Sequence, residues 1–161
     1  MQNAKLKIFI DARPLKTGHA VRGVGSYTRN LIDALKAQDR IEVVDDFERA
    51  DVIHYPYFDL FFNTLHPIKD KPIVVTIYDV IPLIYPKHYP PGIKGKLNFL
   101  KQKRALSSVG AVITISETSK KDIVRFLNVP QDKIFPIHLA QNERFRRLED
   151  GKWKMETAKC Y

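Results

Sequence analysis

The run Ile73-Val74-Val75-Thr76-Ile77-Tyr78, closed by Asp79, decides how the rest of the chain is read. It is β-branched almost throughout, the pattern of a strand covered on both faces rather than one half exposed to water. A strand of that kind belongs in a parallel sheet flanked by helices. The sequence on either side should therefore alternate short strands with amphipathic helices.

Toward the N-terminus, Lys7-Ile8-Phe9-Ile10 is a first strand that breaks at Asp11-Ala12-Arg13-Pro14. A long loop to Gly25 follows, after which Tyr27, Leu31, Ala34 and Leu35 recur at helical spacing. They predict a helix over 26–38 with Gly25 or Ser26 as N-cap. Residues 41–44 and 52–55 are two short strands, the second opening after the polar turn Asp45-Asp46-Phe47-Glu48. Toward the C-terminus, an aromatic and proline-rich stretch over 81–91 leads into a helix over about 93–106. Residues 111–115 repeat the buried-strand pattern, and Ser116 is placed to cap a helix over 117–127 that stops before Val129-Pro130. The last strand spans 134–138, and Pro136, which cannot donate to a ladder, assigns it to the sheet edge. The expected fold class is α/β: a Rossmann-like parallel sheet with helices on both faces, one domain over 1–140. Residues 141–161 turn polar and read as a linker and tail leaving that domain.

Composition narrows the function classes. A chain of 161 residues buries one core and has no room for a second full domain. No stretch approaches the roughly 20 apolar residues of a membrane span, and residues 1–7 do not resemble a leader, so a cytoplasmic location is expected. Cys160 is the only cysteine, which excludes an internal disulfide, and the five histidines at 19, 54, 66, 88 and 138 lack metal-ligand spacing. The net charge of +9 attracts anions, but no nucleic-acid-binding module accompanies it, so nucleic acid is not an expected partner. Lys94, Lys96, Lys101, Lys103 and Arg104 crowd one helical stretch beside Tyr85, Tyr89 and Leu97. That mix suits peripheral contact with an anionic membrane, and equally a solvated basic face.

Ligands of parallel α/β sheets bind beyond the carboxyl ends of the strands, which points to residues 13–25, His54 and Tyr55, 79–82, and 116–120. Gly23-Val24-Gly25, ahead of a helix, would let backbone N–H groups and the helix dipole meet a diphosphate. Two glycines also simply permit a turn, and Thr28 in place of a third glycine weakens a dinucleotide fingerprint. Asp45, about 20 residues beyond Gly25, keeps a nicotinamide reading open. Asp79 could accept a hydrogen bond from a sugar hydroxyl or cap the turn at its strand end. His54 is a candidate polar group or a hydrogen-bonded core residue. Ser116 and Ser119 read as capping groups, because no Ser-His-Asp arrangement surrounds them.

Five segments carry a resemblance: Ile10-Asp11-Ala12-Arg13-Pro14, Arg22-Gly23-Val24-Gly25-Ser26-Tyr27, residues 51–56 (DVIHYP), residues 76–82 (TIYDVIP) and residues 113–120 (ITISETSK). In this order they resemble the retaining glycosyltransferases of family four, over residues 8–148. The resemblance implies the N-terminal half of a two-Rossmann GT-B fold that works in glycan biosynthesis as a hexosyltransferase. The reaction would move a sugar from a nucleotide-sugar donor to a hydroxyl of a glycan or lipid-linked acceptor, with retention and without a metal or other cofactor. It also implies Gly23 and Gly25 at the donor diphosphate, Asp79 as the catalytic group, and His54, Tyr55, Ser116 and Glu117 on the acceptor side. On this basis a bulky residue at Gly25 should impair donor use more than folding. Tyr78 stands where many relatives carry histidine. The second domain, which in the family holds the nucleotide sugar, would be supplied in cis or in trans, and this half alone would be incomplete and inactive. The alternative is a non-catalytic anion-binding or assembly module, half of a split enzyme.

Overall fold

The computed structural model describes residues 4–66, 70–140, 145–147 and 153–155. Strands β1 (Leu6–Ile10), β2 (Ile41–Val44), β3 (Val52–Tyr55), β4 (Ile73–Thr76), β5 (Ala111–Thr114) and β6 (Ile134–Pro136) form one sheet in the order β2-β1-β3-β4-β5-β6. All five pairings are parallel. The α/β, Rossmann-like expectation is the observed architecture. β6 sits at the edge, where Pro136 loses no ladder bond, and β4 lies inside, with Val75 fully buried. The strand order reverses between β1 and β3, which opens a crevice at their carboxyl ends.

Among the described residues four α-helices punctuate the strands: α1 (Gly23–Lys36), α2 (Ile81–Ile84), α3 (Gly92–Leu106) and α4 (Glu117–Leu127). The bounds of α4 are those expected, because its local signals are complete. The Ser116 hydroxyl accepts the Ser119 N–H at 3.1 Å, and Asn128 ends the helix in the left-handed conformation at φ 58°. The first helix differs from expectation. It begins three residues early, so Gly23-Val24-Gly25 is its first turn rather than a loop before it, with Arg22 as the extended N-cap. The preceding stretch is not a plain loop either, since Arg13–Lys16 forms a 3-10 turn around the buried Pro14. Strands β4, β5 and β6 each stop one or two residues earlier than the β-branched runs suggest, and 81–84 is helical.

The core lies between sheet and helices, with Ile53, Ile77, Val112 and Ile123 wholly buried. Two short strands, β7 (Phe145–Arg147) and β8 (Trp153–Met155), pair antiparallel in a separate sheet. The rest of the expected linker and tail over 141–161 lies outside the described residues.

Candidate functional site

The loop after β1 is built by Asp11. Its carboxylate accepts the Arg13 N–H at 3.1 Å and the Arg13 Nε–H at 2.8–2.9 Å, and the guanidinium donates onward to the Thr64 carbonyl at 2.6 Å. The hydrogen bond that Arg13 donates to Asp11, with the carboxylate's charge, raises the Arg13 pKa against a desolvation effect of opposite sign. The Asp-Ala-Arg-Pro motif thus ties the end of β1 to the segment after β3.

That tie shapes two adjoining clefts at the carboxyl ends of the strands, of about 680 and 620 Å³. The first is bounded by Arg22, Gly23 and Val24 at the start of α1, by residues 57–62 after β3, and by Tyr78, Asp79 and Pro82 after β4. The second runs along Asp11, Arg13, Thr17 and His19, and shares Arg22, Tyr57, Asp59 and Phe62 with the first.

At the α1 end, the N–H groups of Gly23 and Val24 find no backbone partner among the described residues, as is general for a first helical turn. The exposed Arg22 side chain makes no ion pair there among the described residues. Two donors, the positive end of the helix dipole and a guanidinium therefore coincide, an arrangement that favours an anion. Gly25 has a different part. Its N–H donates to the His19 carbonyl at 3.1 Å, and a Cβ on it would stand 2.5 Å from that oxygen and 2.6 Å from the Ala20 carbonyl. Gly25 is glycine because the 19–20 backbone crosses over it, and its N–H is not free for a phosphate.

Across the cleft, one carboxylate oxygen of Asp79 accepts the Ile81 N–H at 3.0 Å and so caps the turn into α2. Its other oxygen has no hydrogen-bond partner among the described residues, which lets one side chain serve both readings of the sequence. Tyr78 is committed elsewhere: its hydroxyl donates to the Pro56 carbonyl at 3.1 Å and its ring meets Tyr27 edge-on at 5.6 Å. Burial, with the neighbouring tyrosines, raises its pKa and keeps it a phenol.

His54 is a core residue and lines neither cleft, being 6% exposed. Its Nε2 is 2.9 Å from the Thr76 hydroxyl, which in turn lies 3.3 Å from the Tyr27 hydroxyl. Burial lowers its pKa to about 4, so the ring is neutral at pH 7. The sign follows from proton binding. Between the unfolded pKa near 6.5 and about 4 the unfolded chain binds the extra proton, so stability is full above that window and falls as pH drops through it. We expect roughly 3 kcal/mol to be lost across the window, and a His54→Gln chain to lose correspondingly less in denaturant melts at pH 7 and pH 4.5. Equal losses in both chains would refute this assignment.

Tyr55 is buried with its hydroxyl on the His66 carbonyl at 3.3 Å, Ser116 caps α4, and Glu117 is exposed at that helix's first turn. None of the three lines either cleft. Sequence reasoning placed Arg22 in the ligand-facing stretch 13–25 without giving it a role, and missed Tyr57 and Asp59. The Asp59 carboxylate accepts the Phe61 N–H at 2.7 Å, the Phe62 N–H at 3.0 Å and the Tyr57 hydroxyl at 2.8 Å, making the cleft wall a self-supporting turn. Burial first, and then Asp59, raises the Tyr57 pKa. Aromatic density just past a predicted strand end, in residues 57–62, was the available signal. Among the described residues no three His, Cys, Asp or Glu side chains gather as metal ligands.

No curated protein matches the chain. A family model described as Glycosyltransferase Family 4 matches residues 40–140, from β2 through β6. The match includes Asp79 and the wall after β3 and starts beyond the Gly23–Gly25 turn. It covers more than half of a chain whose strand order places the cleft at the switch point, so this protein belongs to Glycosyltransferase Family 4.

Proposed function

We propose that this chain is the acceptor-side, N-terminal domain of a retaining glycosyltransferase that uses a nucleotide-sugar donor. The observation that carries the reading is that the unoccupied donors of the α1 N-terminus, with Arg22, face Asp79 across one cleft. The bond from the anomeric carbon to the donor diphosphate breaks as the bond to the acceptor oxygen forms on the same face, and the acceptor's hydroxyl proton passes to the departing diphosphate oxygen. The departing diphosphate rests on the Gly23 and Val24 N–H groups and the Arg22 guanidinium, fixed donors that oppose the developing charge. The free oxygen of Asp79 accepts a hydrogen bond from the acceptor hydroxyl and orients it. A second Rossmann domain, in cis or in trans, holds the nucleotide, and the acceptor is a glycan or a lipid-linked sugar. In this reading the counter-charges are protein cations rather than a metal, nucleic acid has no part, the chain works in the cytoplasm, and it does not turn over without the second domain.

The donor arm is tested with inorganic pyrophosphate. Its addition should shift the amide signals of Gly23 and Val24, and Arg22→Gln should weaken binding about tenfold, the loss of one charge-assisted contact worth about 1.4 kcal/mol. Unmoved amides, or an undiminished Arg22→Gln affinity, would overturn the anion site. Retention is read from the anomeric proton of the product formed together with the second domain, and an inverted product would refute it.

A further inference from the structure

The structure divides α3 into two faces. Gly95, Gln102 and Leu106 point inward and are buried, while Ile93, Leu97 and Leu100 are 83%, 56% and 63% exposed. Spaced four and three residues apart, these three make a continuous apolar ridge at about 3.6 residues per turn, opposite the buried face. Lys94 and Lys101 flank the ridge on one side and Lys96 on the other, with Arg104 on its last turn, all four exposed. No aspartate or glutamate occurs anywhere in the helix. Lys103, counted with this group in the sequence, does not belong to it. Its ammonium donates to the Phe126 carbonyl at 3.0 Å and lies 6.0 Å from the Phe99 ring, tying α3 to α4. The helix itself adjoins the first cleft on its inner side, since Tyr89 and Pro90 on that cleft's rim lead directly into α3 and the Asn98 amide holds the Phe61 carbonyl at 2.9 Å.

We propose that the outer face of α3 docks on an anionic lipid surface, with Ile93, Leu97 and Leu100 entering the headgroup boundary and Lys94, Lys96, Lys101 and Arg104 meeting lipid phosphates. An apolar ridge bordered by cations and free of acids matches such a surface in both hydrophobicity and charge. A second copy of the same face would bring like charges together, which argues against self-association there. No helix among the described residues is long and apolar enough to cross a membrane, so the contact is peripheral. This attachment goes beyond the transfer reaction and is tested without it.

The experiment is co-sedimentation of the whole chain with vesicles of phosphatidylcholine alone or mixed with phosphatidylglycerol. Binding should be at least tenfold stronger to the anionic vesicles and should weaken with added salt. Leu97→Glu/Leu100→Glu should abolish it with the melting temperature unchanged, since both side chains are more than half exposed. Lys94→Gln/Lys101→Gln should reduce it severalfold, whereas Lys103→Gln should alter stability and leave lipid binding as it was. Equal binding to both vesicle types, or full binding by Leu97→Glu/Leu100→Glu, would overturn the proposal. So would light scattering that shows a dimer broken by Leu97→Glu/Leu100→Glu in a chain that ignores vesicles, or capture of an acidic protein by such a chain.

Discussion

Gly25→Val is expected to lower the melting temperature by roughly 10 °C, while Gly23→Ala, two residues away, leaves it within about 2 °C. The first turn of α1 explains the contrast. At Gly25 the added carbon would sit 2.5, 2.6 and 2.7 Å from the His19 oxygen, the Ala20 oxygen and the Ala20 Cα, all of them backbone atoms that no rotamer change can move aside. Relief requires the 19–20 segment to lift and gives up the bond from the Gly25 N–H to His19. A cost of about 3 kcal/mol or more belongs to that class of overpacking and strain. At Gly23 nothing lies within 4 Å of the added carbon. Thermal melts by circular dichroism decide the matter, and a Gly25→Val chain melting with the wild type would show that the backbones do not approach as described. The expectation that a bulky residue at Gly25 impairs donor use more than folding is therefore corrected: folding is affected first, and any loss of anion binding follows from it.

Gln102→Leu is expected to cost about 3 kcal/mol, with local loss of amide protection over 63–65. The Gln102 amide is 1% exposed and serves four groups. Its oxygen accepts the Leu65 N–H at 3.0 Å and the Thr64 hydroxyl at 3.1 Å, and its nitrogen donates to the Asn63 side-chain oxygen at 2.8 Å and the Leu65 carbonyl at 3.2 Å. Leucine has a similar volume but would leave the Leu65 N–H and carbonyl without these partners in a buried place, each a desolvation cost of about 1–3 kcal/mol. Because the Thr64 carbonyl also receives Arg13, the change should loosen the wall shared by the two clefts as well as the fold. Denaturant melts and hydrogen exchange test this directly. A Gln102→Leu chain as stable as the wild type would mean that water or a shifted backbone takes over all four bonds.

These two positions also show where sequence and tertiary structure part. The sheet, its parallel sense, the edge place of β6, the two short strands β2 and β3 and the bounds of α4 were legible, because each rests on neighbours in the chain: β-branched runs, a serine cap at 116, a proline at 136. The place of Asp79 just beyond the carboxyl end of β4 was legible for the same reason, and so was the turn it caps. Gly25 read as loop because glycine is a poor helix former, whereas its actual cause is a carbonyl six residues back that crosses over it. Gln102 drew no reading from the sequence, and Lys103 was grouped with the other cations of its helix, since nothing local says which side of α3 faces inward when both sides carry apolar residues. The site itself depended on strand order. That order brings Arg22, Asp59 and Asp79 to one cleft from three separate loops and sends His54 into the core, and it is set by how the strands pack together rather than by any window of the chain.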